Sequence, residues 1–587
     1  MYAFEDINNY SYGSSERKRS RKKKLIIIGA ALLAVTLIVV AGVVGALFYT
    51  NNESKKAEDS SDHNMHSVSK SVKMMCSTTD YSGVCESSIS KAVNSSSPAP
   101  EDLVKAAVAV IINEAKKAFS RSELFKSKNP MIRGAIEDCK QLYMDSKEEL
   151  ETALEHITAY GLENLPKRSH DIRTWLSAVM SYQQTCIDGF PDGELKTKMN
   201  EAMNKARQLT SNALAIIKEA SSFFSTLKLS NFNRRRLLEE EEHEEMFVDD
   251  DGYPSWVAEG DRRMLKEYQW KKPAPNVTVA KDGSGDFTTI TDALNAMPKK
   301  YQGRYVIYVK AGEYEETVNV TKKMVNVTMY GDGSKKTIIT GSKNFIDGTR
   351  TFQTATFVAA GSGFMAVGIC FRNTAGAIKH QAVALRVQSD LSVFLYCRME
   401  GYQDTLYAQT HRQFYRGCVI SGTIDFIFGD AAAVIQNSVL VVRRPLDNQQ
   451  NIVTANGRVD PHETTGFVLH NCRIIPDHRL SSNLTISSYL GRPWKQFSKT
   501  IIMESRIGSF IHPDGYTPWN GDFALKTLFY AEYNNTGPGS DVTARVPWPG
   551  FKVITRPAAM RFTVANFLQG RDWIKATGAP VRLGLYH

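Results

Sequence analysis

The sequence predicts a multidomain chain: an all-α four-helix bundle followed by an all-β, right-handed parallel β-helix. Three observations carry this prediction. Residues 71–228 hold four amphipathic stripes at helical spacing. From about residue 275 the chain turns into short β-rich runs that repeat at irregular, roughly 20-residue intervals. Residues 229–274, between them, carry opposed blocks of like charge that neither core would tolerate.

At 587 residues the chain exceeds one ordinary domain. It begins with a basic cluster, Arg17, Lys18, Arg19, Arg21, Lys22, Lys23 and Lys24. An uncharged run follows, residues 25–48, from Leu25 to Phe48. That length spans a bilayer, and the cations hold its start on the cytosolic side. Residues 1–24 therefore read as a cytosolic segment and 25–48 as a signal anchor, preferred over a cleaved signal. Residues 49–70 are polar and Ser-rich, a linker. Everything beyond is expected to be exported. Asn-x-Ser/Thr triplets at Asn276, Asn319, Asn326, Asn483 and Asn534 fit a glycosylated, secreted surface.

The bundle prediction rests on named stripes. Leu103, Ala107, Val110, Ile111 and Ala115 share one helix face. Ile132, Ala135, Ile136, Cys139 and Tyr143 share a second; Trp175, Val179, Tyr182 and Cys186 share a third. Met199, Ala202, Met203, Ala206, Leu209, Ala213 and Ile217 form the fourth. Cys76, Cys85, Cys139 and Cys186 all lie in this region. Four cysteines in an exported domain read as two disulfides, and the sequence alone allows three pairings. They lack the two close Cys/His pairs of a common zinc site.

The break at 229–274 reads as an exposed linker. Arg234, Arg235 and Arg236 precede Leu237 and Leu238, and residues 239–242 are all Glu. Arg262 and Arg263 precede Met264 and Leu265. Exposed basic sites in an exported chain invite processing proteases.

Residues 275–587 read as the β-helix. A short helix over residues 290–297 is expected after the turn Asp282-Gly283-Ser284-Gly285. Apolar strands then end in Cys370, Cys397, Cys418, Ser438 and Cys472, at intervals of 27, 21, 20 and 34 residues. These small side chains are expected to stack as one interior row, not to act in catalysis. From residue 266 onward 37 Lys and Arg stand against 24 Asp and Glu. That excess of +13 suits an acidic partner. No nucleic-acid motif is present and the cations are scattered, which disfavours nucleic acid.

The chemistry is expected in two aromatic-rich runs. One is Gly401-Tyr402-Gln403-Asp404-Thr405-Leu406-Tyr407; the other is Gly422-Thr423-Ile424-Asp425-Phe426-Ile427-Phe428-Gly429. An Asp among Ile and Phe needs a partner, a substrate or a cavity, because an unpaired buried charge is costly. Asp404 and Asp425 stand 21 positions apart, about one solenoid turn, so both are expected on one face. Such a pair splits in pKa, leaving one carboxylate ionised and the other protonated. The β-helix part has no Gly-x-Ser-x-Gly elbow and the chain no His-Glu-x-x-His motif.

These two runs resemble the active-site signatures of plant pectin methylesterases. The resemblance extends to Gln381-Ala382-Val383-Ala384-Leu385-Arg386 and Leu490-Gly491-Arg492-Pro493-Trp494, and covers residues 275–585. Ala135-Ile136-Glu137-Asp138-Cys139 and Thr185-Cys186-Ile187-Asp188-Gly189-Phe190 resemble the invertase/pectin methylesterase inhibitor family. The resemblance implies Cys76–Cys85 and Cys139–Cys186 disulfides. It marks Arg236 and Arg263 as processing sites for a protease that separates inhibitor from enzyme. Ser438 departs from the Cys often found there, which leaves Cys418 free or paired with Cys397.

The implied activity is hydrolysis of methyl esters in pectin, with methyl-esterified homogalacturonan as partner, in the cell wall. Asp425 would be the nucleophile, Asp404 the proton donor and Gln403 the transition-state stabiliser. Gln381, Arg492, Trp494, Tyr407, Phe428 and Thr351 would bind substrate. Trp519 stands as in the family, but Tyr516 lies where Trp is common, so a weaker aromatic subsite is expected there. The scheme requires no metal and no cofactor. Membrane contact is expected only through residues 25–48. Another pectin-cleaving β-helix enzyme, or a non-catalytic binding protein, are the rival readings.

Overall fold

The computed structural model describes residues 70–93, 98–230, 272–482 and 485–587. Residues 25–48, Arg236 and Arg263 lie outside the described residues. Among the described residues no helix is long and apolar enough to cross a membrane.

The first part is helical: α1 (Ser82–Ala92), α2 (Pro100–Ser120), α3 (Pro130–Tyr160), α4 (Leu165–Asp188) and α5 (Glu194–Ser230). The last four pack as the bundle. Their starts obey local chemistry. Pro130 sits in the first turn of α3, where a missing N–H costs nothing, and the Asn129 side chain accepts from Met131 N–H at 2.9 Å. Gly161, at φ +65°, ends α3 in a conformation that suits glycine. Leu103, Ala107, Ile111, Ala135, Val179, Met199, Met203, Leu209 and Ile217 are buried as expected. Val110, Ile132, Tyr143, Trp175 and Ala202 are only half-buried. The second stripe also runs further than expected, through Leu150, Ala153 and Ile157. The disulfides are Cys76–Cys85 and Cys139–Cys186, the latter joining α3 to α4.

The second part is a right-handed parallel β-helix of three sheets, with 11, seven and eight strands. The short helix spans Ile290–Asn295, ending two residues before the expected limit. Seven strands form the sheet that matters most for function. They are β1 (Val318–Val320), β2 (Phe357–Ala359), β3 (Leu385–Val387), β4 (Leu406–Ala408), β5 (Ile427–Gly429), β6 (Asn451–Asn456) and β7 (Ser488–Gly491). All pair in parallel, with Phe357, Leu385, Leu406 and Ile427 in one ladder. Those side chains enter the core. The next residues, Val358, Arg386, Tyr407 and Phe428, point to the other face, as strand alternation requires.

Cys397, Cys418, Ser438 and Cys472 do form one interior row, which Ser505 extends. Cys370 does not belong to it. Arg398 pairs with Cys370, so Ile369 holds the position before it, level with Cys397. The cysteines of this part are buried and free, Cys418 included. Burial pushes the Cys418 and Cys472 thiols up to about 12.

The bundle lies against the outward face of the seven-stranded sheet. One apolar cluster joins Cys139, Tyr182, Cys186, Phe190 and Met203 to Phe352, Val358, Val383, Tyr407 and Phe428.

Candidate active site

Two carboxylates stand at equivalent places on adjacent rungs. Leu406 pairs with Ile427, so Asp404 and Asp425, each two residues earlier, are level. Adjacent rungs are about 4.8 Å apart. Asp404 N–H donates to Ile424 O at 3.1 Å, continuing the ladder beyond the strands. Both aspartates have left-handed backbones, φ +61° and +49°. That conformation is uncommon for non-glycine residues and recurs where side chains are aimed at chemistry. Both are buried, at 7% and 5% exposure.

Arg492, just beyond β7, reaches back to Asp425 with both faces of its fork: Nε to Oδ1 at 2.8 Å and Nη2 to Oδ2 at 2.5 Å. The two carboxyls therefore differ. Burial pushes Asp404 well above the usual carboxylate range, and the charge of Asp425 pushes it further. Burial also raises Asp425, but the Arg492 ion pair and hydrogen bonds oppose that rise. Of the two carboxyls, Asp404 is the one favoured to carry a proton and Asp425 the one favoured to keep its charge.

A cavity of about 580 Å³ brings the expected residues together. Thr351, Gln381, Gln403, Asp404, Tyr407, Asp425, Phe428, Arg492 and Trp494 all line it. Gln381 Oε1 is buried with no hydrogen-bond partner. Tyr407 and Phe428 stack at 4.3 Å between ring centres, and Phe428 meets Trp494 edge-on at 6.0 Å. Trp519 covers the Arg492 guanidinium at 4.3 Å. Tyr516 is not part of the groove: it is 1% exposed and packs on Tyr530 and Phe551 in the core, so the expected weaker subsite does not arise there.

This geometry sits in a chain whose relatives are informative. The profile described as Pectinesterase matches residues 276–571, and that described as Plant invertase/pectin methylesterase inhibitor matches residues 70–216. "Probable pectinesterase/pectinesterase inhibitor 13" of Arabidopsis thaliana is 48% identical over 521 residues, 88% of this chain and 82% of the relative. The chain belongs to the pectinesterase family. "Pectinesterase/pectinesterase inhibitor 3" of the same plant is 40% identical, across 88% of this chain and 90% of the relative. The solved pectin methylesterase from carrot is 52% identical, with a TM-score of 0.53. It covers 53% of this chain and 98% of its own. Pectinesterases are carboxylic ester hydrolases.

The other wall of the cavity is the inhibitor-like bundle, which supplies Met131, Asp138, Thr185, Asp188, Phe190 and Lys196. Sequence reasoning did not assign these residues to the site. Nor did it find Arg350, Phe352 and Phe345 on the enzyme side. One signal was available: Asp138 adjoins Cys139, and Asp188 lies two residues beyond Cys186. Arg350 holds Asp138 with Nε at 2.6 Å and Nη2 at 3.0 Å, and Gln353 Nε2 adds a third bond at 2.7 Å.

Proposed function

We propose that the β-helix hydrolyses galacturonate methyl esters in pectin by aspartyl nucleophilic catalysis. The observation that carries the reading is the level pair Asp404 and Asp425 with Arg492 on one member only. An ionised Asp425 oxygen attacks the ester carbonyl carbon, and the carbonyl electrons move to its oxygen. Amide N–H groups of Gln403 and Gln381 donate to that oxyanion; one such donor is worth about 10²–10³ in rate. The tetrahedral species collapses, the carbon–methoxide bond breaks, and Asp404 gives its proton to form methanol. Asp404, now charged, takes a proton from water. The resulting hydroxide cleaves the acyl-enzyme, freeing Asp425 and a galacturonate carboxylate. Tyr407, Phe428 and Trp494 offer ring faces to the sugars, and Thr351 lines their path.

In the uncut chain the bundle occupies the polymer's route and keeps the enzyme silent. Cutting after Arg236 or Arg263 by a processing protease removes the tether. Residues 25–48 hold the precursor in the membrane on its way to the cell wall, and the acceptor asparagines carry glycans.

Methanol release and polymer length, measured together on pectin, test the reading. Methanol without chain shortening is expected from protein cut after Arg263, and far less from uncut protein. Asp425→Asn should abolish methanol release with the fold intact; unchanged turnover would overturn the assignment of the nucleophile.

A further inference from the structure

We infer that Lys322, Arg350 and Lys495 are binding positions for free carboxylates of de-esterified galacturonate, and that the bundle occupies them by imitating that polyanion. The inference rests on the pectinesterase reading and extends it to what flanks the reacting ester.

The three cations are spread along the face that carries the active site. Lys322 follows β1, the first strand of the seven-stranded sheet, and Lys495 follows β7, the last. Six strand spacings separate those ends, about 29 Å. Arg350 precedes β2, and the aspartates precede β4 and β5, between the outer cations. Arg350 lines the cavity with the aspartates, whereas Lys322 and Lys495 stand outside its lining, under the same bundle.

Each cation is neutralised from the bundle alone. Lys322 Nζ donates to Glu149 at 2.7 Å and lies 3.9 Å from Asp145 and 3.8 Å from Glu148. Arg350 holds Asp138, and Lys495 holds Asp188 at 2.7 Å. Among the described residues, no carboxylate of the β-helix lies within 4.0 Å of any of the three. Arg412 is the contrast: it meets Asp171 of the bundle but also has Asp390 of its own domain, at 2.7 Å.

The bundle side is equally specific. Asp138, Asp145 and Glu149 are seven and four residues apart on α3, so they form one stripe over about 16 Å of helix. All three are buried. Burying carboxylates is costly, and apolar residues would seal a permanent interface as well or better. Carboxylates here follow from the cations they must cover. Among the described residues of the β-helix none of the three cations has an acidic partner, and the one other contact of these charges there is Lys495 over the Trp494 ring at 4.9 Å. A ligand of repeated carboxylates accounts for both sides.

Binding to immobilised polygalacturonate at fixed ionic strength tests this, with polyglutamate as the comparison polyanion. Chain cut after Arg263 should bind polygalacturonate more tightly than uncut chain, and more tightly than it binds polyglutamate. Arg350→Gln and Lys495→Gln should each weaken that binding about threefold to fivefold. Arg350→Lys and Lys495→Arg should largely restore it. The same Gln variants should raise KM for half-de-esterified pectin more than for fully esterified pectin. That ratio is read within one protein, so residual bundle does not affect it. Equal binding by cut and uncut chain, equal preference for polyglutamate, or an unmoved KM ratio would overturn the inference. If cut wild-type chain binds polygalacturonate but releases no methanol, the esterase reading fails while these binding positions stand.

Discussion

The two faces of the seven-stranded sheet are sealed by different chemistry. Inward, Phe357, Leu385, Leu406 and Ile427 stack rung on rung in a dry core with Phe364, Phe371 and Phe394. Outward, an apolar patch around Tyr407 and Phe428 is ringed by ion pairs to the bundle, with Arg350, Lys322, Arg412 and Lys495 on one side and six carboxylates on the other. The inward seal forms once, during folding. The outward seal has polar partners that water and an acidic polymer can replace, so it can be undone without unfolding. A permanent core and a removable cover are thus written in the side-chain types on opposite faces of one sheet.

The largest expected effect breaks the inward face. Phe394 is fully buried, stacked on Tyr415 at 4.8 Å and near Phe364 at 5.7 Å. Phe394→Ala should cost the β-helix about 3–5 kcal/mol, because the rigid rungs cannot collapse into the cavity. Denaturant unfolding of the cut chain reads this. A loss below about 1 kcal/mol would show the stack to be looser than its geometry implies.

A smaller effect loosens the outward face. Asp138→Asn leaves Arg350 with no ionised partner, at a site where its side chain is 17% exposed. Hydrogen bonds to charged groups are worth about 1.5–3 kcal/mol, and partial exposure puts this one near the lower end. Uncut Asp138→Asn protein should therefore release methanol faster than uncut wild type, with β-helix unfolding unchanged. No gain in methanol would mean that the apolar patch alone holds the cover.

These two faces also differed in how far the sequence exposed them. Asp404 and Asp425 were legible because one solenoid turn separates them and apolar neighbours make their charge conspicuous. The bundle was legible in its stripes, since helical periodicity survives without knowledge of partners. Register was not: Cys370 looks equivalent to Cys397, yet the ladder is offset by one residue, because side chains alternate and either phase fits an apolar strand. The outward ion pairs were hidden for another reason. Asp138 and Arg350 are 212 positions apart, and an isolated charge carries no mark of its partner.

Gly134 was the local oddity. A glycine inside α3 costs about 1 kcal/mol relative to alanine, so something must require it. A Cβ there would stand 1.5 Å from Arg350 Nη1. Gly134→Ala should stabilise helix α3 itself yet push Arg350 off Asp138. The expected result is a net leak of methanol from uncut chain smaller than that of Asp138→Asn. Combined with Asp138→Asn, it should add almost nothing, because both act through one contact.

The smallest expected effect is the dependence of the cover on pH. Glu149 faces Lys322, His411, Asp145 and Tyr182. Burial opposes its charge, but His411 and Lys322 win and hold it at about 2, below its ordinary 4.5. A carboxylate lowered in the docked state stabilises docking above its free value and loses that contribution as pH falls toward its docked value. Burial raises the neighbouring Asp145, which works in the opposite sense: its protonated form favours docking, and that contribution fades as pH rises. With Glu149 alone, docking at pH 4 should be about fourfold weaker than at pH 7. Asp145 should reduce that factor. Bundle retention by cut chain, followed by gel filtration between pH 7 and pH 3.5, reads the sum. Glu149→Gln removes the largest acid-side loss, although His170, lowered by burial and Arg412, still opposes docking in acid, so its docking should weaken less than wild type on acidification; a variant that still loosens like wild type would place the titration elsewhere on the outward face.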